Sequence, residues 1–478
     1  VIPRLQPTPR SELDAIHSAT LAILAETGVR FPSAAALTVL ERAGAAVDTA
    51  TMVVRLPAAL VEKTVAMAPR EVLLAGRDPA QDALLDGSRI FVTLDGTGAY
   101  TLDHRSGERR ASTSRDLAEA TLIADFLPEI GVMWNVVSAG DTSPAIEVLE
   151  ELAIVLRNTG KHIQGEVQRP EEVPYIMEML AAASDGGRWD PRRPIFSIVY
   201  CPVAPLQHER EMLEAAIALA RERVPMSVYS MGLAGATAPV TLAGAVAQAN
   251  AEILSSIVLL QLIEPGTPII YVADTGILDM RAGIFAAAGP EAMLFGQLLA
   301  GLARLYDLPV MTAGFTADAN DFSLMAGLDD GMSALSAWLT GPDLLVGLGM
   351  FDGAQMLSLP KIVLDAEVVR QLERLSGGVA VDPAHLMTDV VAAVGPGGHY
   401  LRQKATRSFL REGEHHQPEL LLRESYETWR AQGRSEVERA VVKVEAILAT
   451  HKAKPLPDGA EERLAQIIAR AAGTLAAR

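Results

Sequence analysis

Chemistry-bearing side chains recur in this chain where short apolar runs end. KHIQGEV carries His162, Gln164 and Glu166, RPIFSIVYCP ends in Tyr200 and Cys201, and VPMSVYSMG ends in Tyr229 and Ser230. GTPIIYVADTG supplies Tyr271 and Asp274 with Asp279 just beyond, and LPVMTAGFTAD supplies Phe315 and Asp318, followed by Asn320 and Asp321. GVMWNVVS adds Trp134 and Asn135, and Asp352 follows PDLLVGLGM. His162 and Glu166 are four residues apart, which puts both on one face of a strand. That pairing suits a general acid/base or a substrate hydrogen-bonder. It is equally the signature of a structural histidine satisfied inside a core. Tyr200, Tyr229, Tyr271 and Phe315 stand out because aromatic residues make up only 5% of the chain. Aromatic faces with carboxylates nearby hold a quaternary ammonium group by cation–π attraction and desolvation. Taken singly, each ring reads as well as a plug in a barrel mouth. Asp274, Asp279, Asp318 and Asp321 are metal-binding residue types, but no histidines cluster with them, so no bound metal is expected.

The elements that position these residues alternate. From about residue 131 to residue 350, seven β-branched or apolar runs are each followed by an Ala/Leu-rich helical segment. Such alternation implies parallel βα units with buried strands. With no dinucleotide-binding fingerprint, seven units point to an α/β chain folded as a (β/α)8 TIM barrel, whose active site lies at the C-terminal ends of the strands. The expected organisation is an N-terminal layer of helices and β-hairpins over 1–125, the barrel over 126–400 and a C-terminal helical extension over 401–478. LAGAVAQANAEILSSIVLLQLI (242–263) is the longest apolar stretch; Gln248, Asn250 and Glu252 interrupt it, which favours a buried barrel helix over a membrane span. GATAPVTLAG (235–244) is a Gly-containing loop entering a helix at Pro239, so its amides either face an anion or form an ordinary βα loop.

Composition narrows the function further. The 478 residues carry a net charge of −18, which argues against nucleic acid as a partner, since phosphate contacts need a basic surface. No basic segment followed by an apolar core opens the chain, so no secretory signal is read and a cytoplasmic location is expected. Cys201 is the single cysteine, which leaves no intrachain disulfide and no cysteine-rich zinc site.

Six segments taken together resemble the trimethylamine methyltransferase family. They are GATAPVTLAG, AEILSSIVLLQLIEPGTPIIY (251–271), DMRAG (279–283), IVLDAE (362–367), VGPGG (394–398) and RESYETW (423–429). The resemblance runs over nearly the whole chain in the right order. It implies a TIM barrel that moves a methyl group from a methylated amine to the cobalt of a corrinoid (cobalamin) carried by a partner protein or bound transiently. Members acting on trimethylamine carry pyrrolysine; this chain has only standard residues and looks like the kind that takes quaternary amines such as glycine betaine. A quaternary nitrogen already bears its charge, so the amine leaves without protonation or a metal, and the protein supplies binding and orientation. On this reading Gln164, Tyr200, Tyr229, Tyr271 and Phe315 would contact substrate and His162 and Glu166 would be catalytic. Asp274, Gly276, Asp279, Gly283, Asp318 and Asn320 would meet the corrinoid, the glycines letting backbone approach the macrocycle. A homo-oligomer without nucleic-acid or membrane partners is expected. The chain departs from the family pattern in DANDFSLMAGLD (318–329), where Asn320 and Met325 replace a Lys and a Gln, and at Ala405, where a His is common. Two alternatives remain open at this stage. One is a barrel lyase or aldolase using His162 and Glu166, with Lys161 as its strand-end lysine. The other is a non-catalytic betaine-binding protein.

Overall fold

The computed structural model describes residues 8–475. Eight parallel strands close into a barrel in chain order: β1 (Phe91–Leu94), β2 (Val132–Trp134), β3 (His162–Gly165), β4 (Phe196–Tyr200), β5 (Met226–Val228), β6 (Ile269–Ala273), β7 (Val310–Ala313) and β8 (Leu344–Leu348). The helices that follow them are α1 (Ser114–Phe126), α2 (Glu147–Asn158), α3 (Val173–Ala183), α4 (Arg210–Arg221), α5 (Leu242–Ile263), α6 (Pro290–Leu305), α7 (Leu324–Thr340) and α8 (Leu359–Ser376). The strands read as unbroken apolar runs because both faces are buried, one against the helices and one inside the barrel.

The eighth strand is β1, which pairs with β8 on one side and β2 on the other. The barrel thus begins at Phe91, inside the segment expected to form a separate N-terminal layer. The signal was hidden because β1 is not followed directly by its helix. Two short strands, Tyr100–Leu102 and Arg109–Ala111, intervene as an antiparallel hairpin, and the first also pairs in parallel with Met356–Leu357 beyond β8. Asp116, in the first turn of α1, closes a capping box with Thr113, while Arg110 donates to both Asp103 and Asp116.

At the opposite end the hairpin Val72–Leu74/Ala83–Leu85 closes the barrel floor; its apolar residues cluster with Phe91, Val132, Ile270 and Leu344 of the interior. The N-terminal helices Arg10–Ala22, Ala34–Arg42 and Ala58–Val65 pack on the outside of α5. That cover explains the apolar stretch at 242–263: 89% of its most apolar window is buried within the protein, between barrel and outer layer. It is the one helix among the described residues long and apolar enough to cross a membrane. Two C-terminal helices wrap the other side, Glu436–Thr450 against α8 and α1, and Ala460–Leu475 against α3.

Candidate active site

Successive residues of a barrel strand alternate between the interior and the helix layer, and this period of two decides which side chains reach the mouth. On β3, His162 and Gln164 face inward, and Glu166 continues the same row above the strand end. They occupy successive levels along the barrel axis. His162 is fully buried at the floor, where Nδ1 lies 3.0 Å from the Pro194 carbonyl and Nε2 lies 2.8 Å from Ser197 Oγ. Burial pushes its pKa down to about 4. Gln164, one level up, accepts a 2.8 Å hydrogen bond from Ser227 Oγ. Glu166 alone of the row lines a cavity of about 300 Å³ at the strand C-terminal ends. At ~3.3 Å per residue, four residues separate His162 from Glu166 by roughly 13 Å, so they form no acid/base pair. Lys161, the lysine an aldolase would need, faces outward and donates to the carbonyls of Ala124 and Leu127.

The same alternation corrects the expected aromatic cage. Val199 and Cys201 line the cavity from β4, and Val272 and Asp274 from β6. Tyr200 and Tyr271, between them in sequence, therefore face the helices. Tyr200 Oη lies 2.6 Å from His208 Nδ1, and Tyr271 Oη donates to Asn250 Oδ1 at 2.9 Å. Phe315 is fully buried in the main core at φ +56° and is likewise outside the lining. Tyr229 is the member of the expected set that lines the cavity. Its partners there are Trp134 and Phe285, the latter from the hairpin Ile277–Asp279/Ile284–Ala286 that folds over the mouth after β6.

Three carboxylates share the cavity with these rings: Asp95, Glu166 and Asp274. Tyr229 Oη donates to Asp274 Oδ2 at 2.6 Å, Thr97 Oγ1 donates to Glu166 Oε1 at 3.1 Å, and the Gly96 amide donates to Asp95 Oδ1 at 2.9 Å. Depth within the protein raises all three pKa values by disfavouring the charged form. Asp95 is pushed up to about 7, with Asp274 adding to the effect, and Asp274 to about 6 against the opposing Tyr229 hydrogen bond. Glu166 moves in the same direction. Behind Glu166 stands Glu151, also raised to about 7 by burial, whose Oε1 accepts from the Ala139 amide. Trp134 is 6% exposed, and its indole N–H has no hydrogen-bond partner in the protein.

The other residues expected at the corrinoid frame the rim. At Gly276 a Cβ would stand 2.0 Å from Phe285 Cε2, so glycine here lets the Phe285 ring lie over the cavity. Gly283, at φ +72°, and Asp279, which accepts from the amides of Arg281 and Ala282, build the hairpin turn. Asp318 accepts from the amides of Ala287 and Ala288, tying the loop after β7 to that hairpin, and Asn320 is exposed farther along the same loop. In GATAPVTLAG the amides of residues 235–238 are taken by the carbonyls of Leu233 and Ala238, so the loop is self-satisfied and offers no anion nest there. Among the described residues no group of three or more His, Cys, Asp or Glu side chains is placed to hold a metal ion. A wider hollow of about 730 Å³, lined by Arg30, Met52 and Arg210, lies between the N-terminal layer and the loop after β4; it contains none of the barrel's inward-facing rows.

Two site residues escaped sequence reasoning altogether. Asp95 follows the strand whose barrel membership was hidden, and Phe285 sits in an insertion rather than a strand. Trp134 was visible at a strand end but was not singled out.

Comparison with known proteins places the chain in a family. The sequence pattern of the trimethylamine methyltransferase family (MTTB) matches residues 1–475. The chain belongs to this family. It is 32% identical over 458 residues to trimethylamine methyltransferase MttB of Desulfitobacterium hafniense, covering 96% of this chain and 92% of that protein. It is 29% identical over 472 residues to the glycine betaine methyltransferase of Desulfitobacterium hafniense strain Y51, with 98% of each chain covered. Among solved structures, the Methanosarcina barkeri monomethylamine methyltransferase (MtmB) superposes with a TM-score of 0.56 at 12% identity, over 98% of this chain and 88% of that one. That likeness bears on the fold.

Proposed function

We propose that this chain moves a methyl group from a quaternary or tertiary methylated amine, the class that includes betaines, to the cobalt of a corrinoid protein. The observation that carries the reading is the cavity: the rings of Trp134, Tyr229 and Phe285 face a space shared by Asp95, Glu166 and Asp274. A desolvated cation–π contact contributes about 2 kcal/mol, and carboxylates within the same enclosure add Coulomb attraction that water no longer screens. The corrinoid, when bound, would supply the nucleophile as reduced cobalt. The residues of this chain bind the ammonium group, turn one methyl toward the mouth and exclude water. The rim supports partner access there, because Met280, Ile284 and Leu324, on the hairpin and at the start of α7, are 66%, 55% and 81% exposed. In this proposal Asp274 reaches the reacting end, whereas Gly276, Asp279, Gly283, Asp318 and Asn320 shape the rim.

A homo-oligomer fits the segment from Gly377 to Arg434. Leu420 is the one buried side chain described there, although Val379, Leu401 and Trp429 are 78%, 82% and 55% exposed and short helices run through it. Short helices without a core to pack on are marginal in water, so a second copy is the natural cover. The acidic composition supports a cytoplasmic setting.

The test combines calorimetric binding of methylated amines with loss of cob(I)alamin absorbance when a corrinoid partner is supplied. Glu166→Gln and Trp134→Ala should each weaken binding of a quaternary amine. If no methylated amine consumes cob(I)alamin in the wild type, the transfer reading fails, and the fold and cavity remain.

A further inference from the structure

Every charged group lining the cavity is acidic. Asp95, Glu166 and Asp274 are present, and no Lys, Arg or His belongs to the lining. The cations nearby are already engaged: Arg109, outside the lining, lies 3.7 Å from Asp352 and over the Tyr100 ring. The basic group that acts on Asp95 is Lys361, which is 1% exposed, lies outside the lining and is held 2.9 Å from Asp330 and 2.8 Å from Asp365. Behind Glu166 stands another carboxyl group, Glu151. The loop at 235–238 spends its amides on its own carbonyls. A carboxylate bound in this enclosure would meet like charges at short range without a counter-ion, an arrangement proteins avoid.

We propose that the substrate is a methylated ammonium compound carrying no anionic group, for which choline is the probe, rather than a betaine. This rests on the methylated-amine reading above and narrows it. The cationic head sits among the three rings and three carboxylates. A site built this way discriminates by repulsion of the wrong substrate as well as attraction of the right one.

Choline, glycine betaine and 3,3-dimethylbutan-1-ol separate the possibilities, because they share size while differing in charge. Each is titrated calorimetrically into the intact enzyme at pH 8. Choline should bind at least tenfold more tightly than glycine betaine, and the neutral alcohol should bind more weakly than choline. Asp95→Asn should narrow the choline-to-betaine ratio by at least threefold. Glycine betaine binding as tightly as choline, or a ratio unmoved in Asp95→Asn, overturns this proposal and leaves the methylated-amine reading intact. A neutral alcohol binding as tightly as choline overturns both.

Discussion

Binding of a quaternary ammonium ion should expel protons from this protein, and its affinity should rise steeply with pH. In the free protein burial holds Asp95 at about 7 and Asp274 at about 6, so Asp95 is half-protonated at neutrality. A cation placed among them favours the ionised forms, so both pKa values fall in the complex. Linkage then fixes the sign: affinity is complete above the free-protein values and is lost as pH falls through them. If Asp95 falls below about 5 on binding, its contribution to the affinity ratio between pH 8 and pH 6 is roughly tenfold, and that of Asp274 about twofold, or about 20-fold together. At pH 7 the two groups release about 0.6 proton per ligand bound. Calorimetry with choline in buffers of different ionisation enthalpy measures both quantities. Asp95→Asn should reduce the pH dependence to about twofold, the share left to Asp274. Affinity that is flat between pH 6 and pH 8, or proton uptake on binding, would refute the claim that these carboxylates face the ligand's charge.

The same raised pKa makes Asp95 a cost to folding: the unfolded chain releases this proton from about pH 4 while the folded protein holds it, so stability falls as pH rises from about 4 to about 7 and is level above. Asp95→Asn should therefore raise Tm most at pH 8, less at pH 5 and hardly at all below about pH 4 in scanning calorimetry. Tyr271→Phe removes the donor to buried Asn250 Oδ1 and should cost about 1–3 kcal/mol in denaturant unfolding while sparing substrate affinity; weakened binding would put Tyr271 back in the site. Gly276→Val forces a side chain into the Phe285 ring and should weaken choline binding by about threefold to thirtyfold, the worth of one cation–π contact, as read by calorimetry. Exhaustive chelation should leave binding and cob(I)alamin consumption unchanged; stoichiometric zinc with chelator-sensitive turnover would contradict the metal-free reading.

The sequence alone determined the barrel, because strands buried on both faces must be written as apolar runs, and parallel strands need a helix between each pair. It determined that the mouth carries carboxylates and rings, since Glu166, Tyr229 and Asp274 end such runs. It could not decide which way a strand-end side chain points. Tyr200 and Tyr229 look alike in sequence, yet one residue of register sends Tyr200 to His208 behind the barrel and Tyr229 to Asp274 within it. His162 and Glu166 share one face of β3, but four residues of strand rise set them at opposite ends of it, a separation their spacing already implies; what the tertiary structure decided is which end is the floor and which the mouth. Asp95 and Phe285 entered the site through an insertion that hid a strand and a hairpin that folds back over the mouth. Contacts of that kind join residues far apart in the chain. Local composition and period do not encode them, so only the closed barrel brings them together.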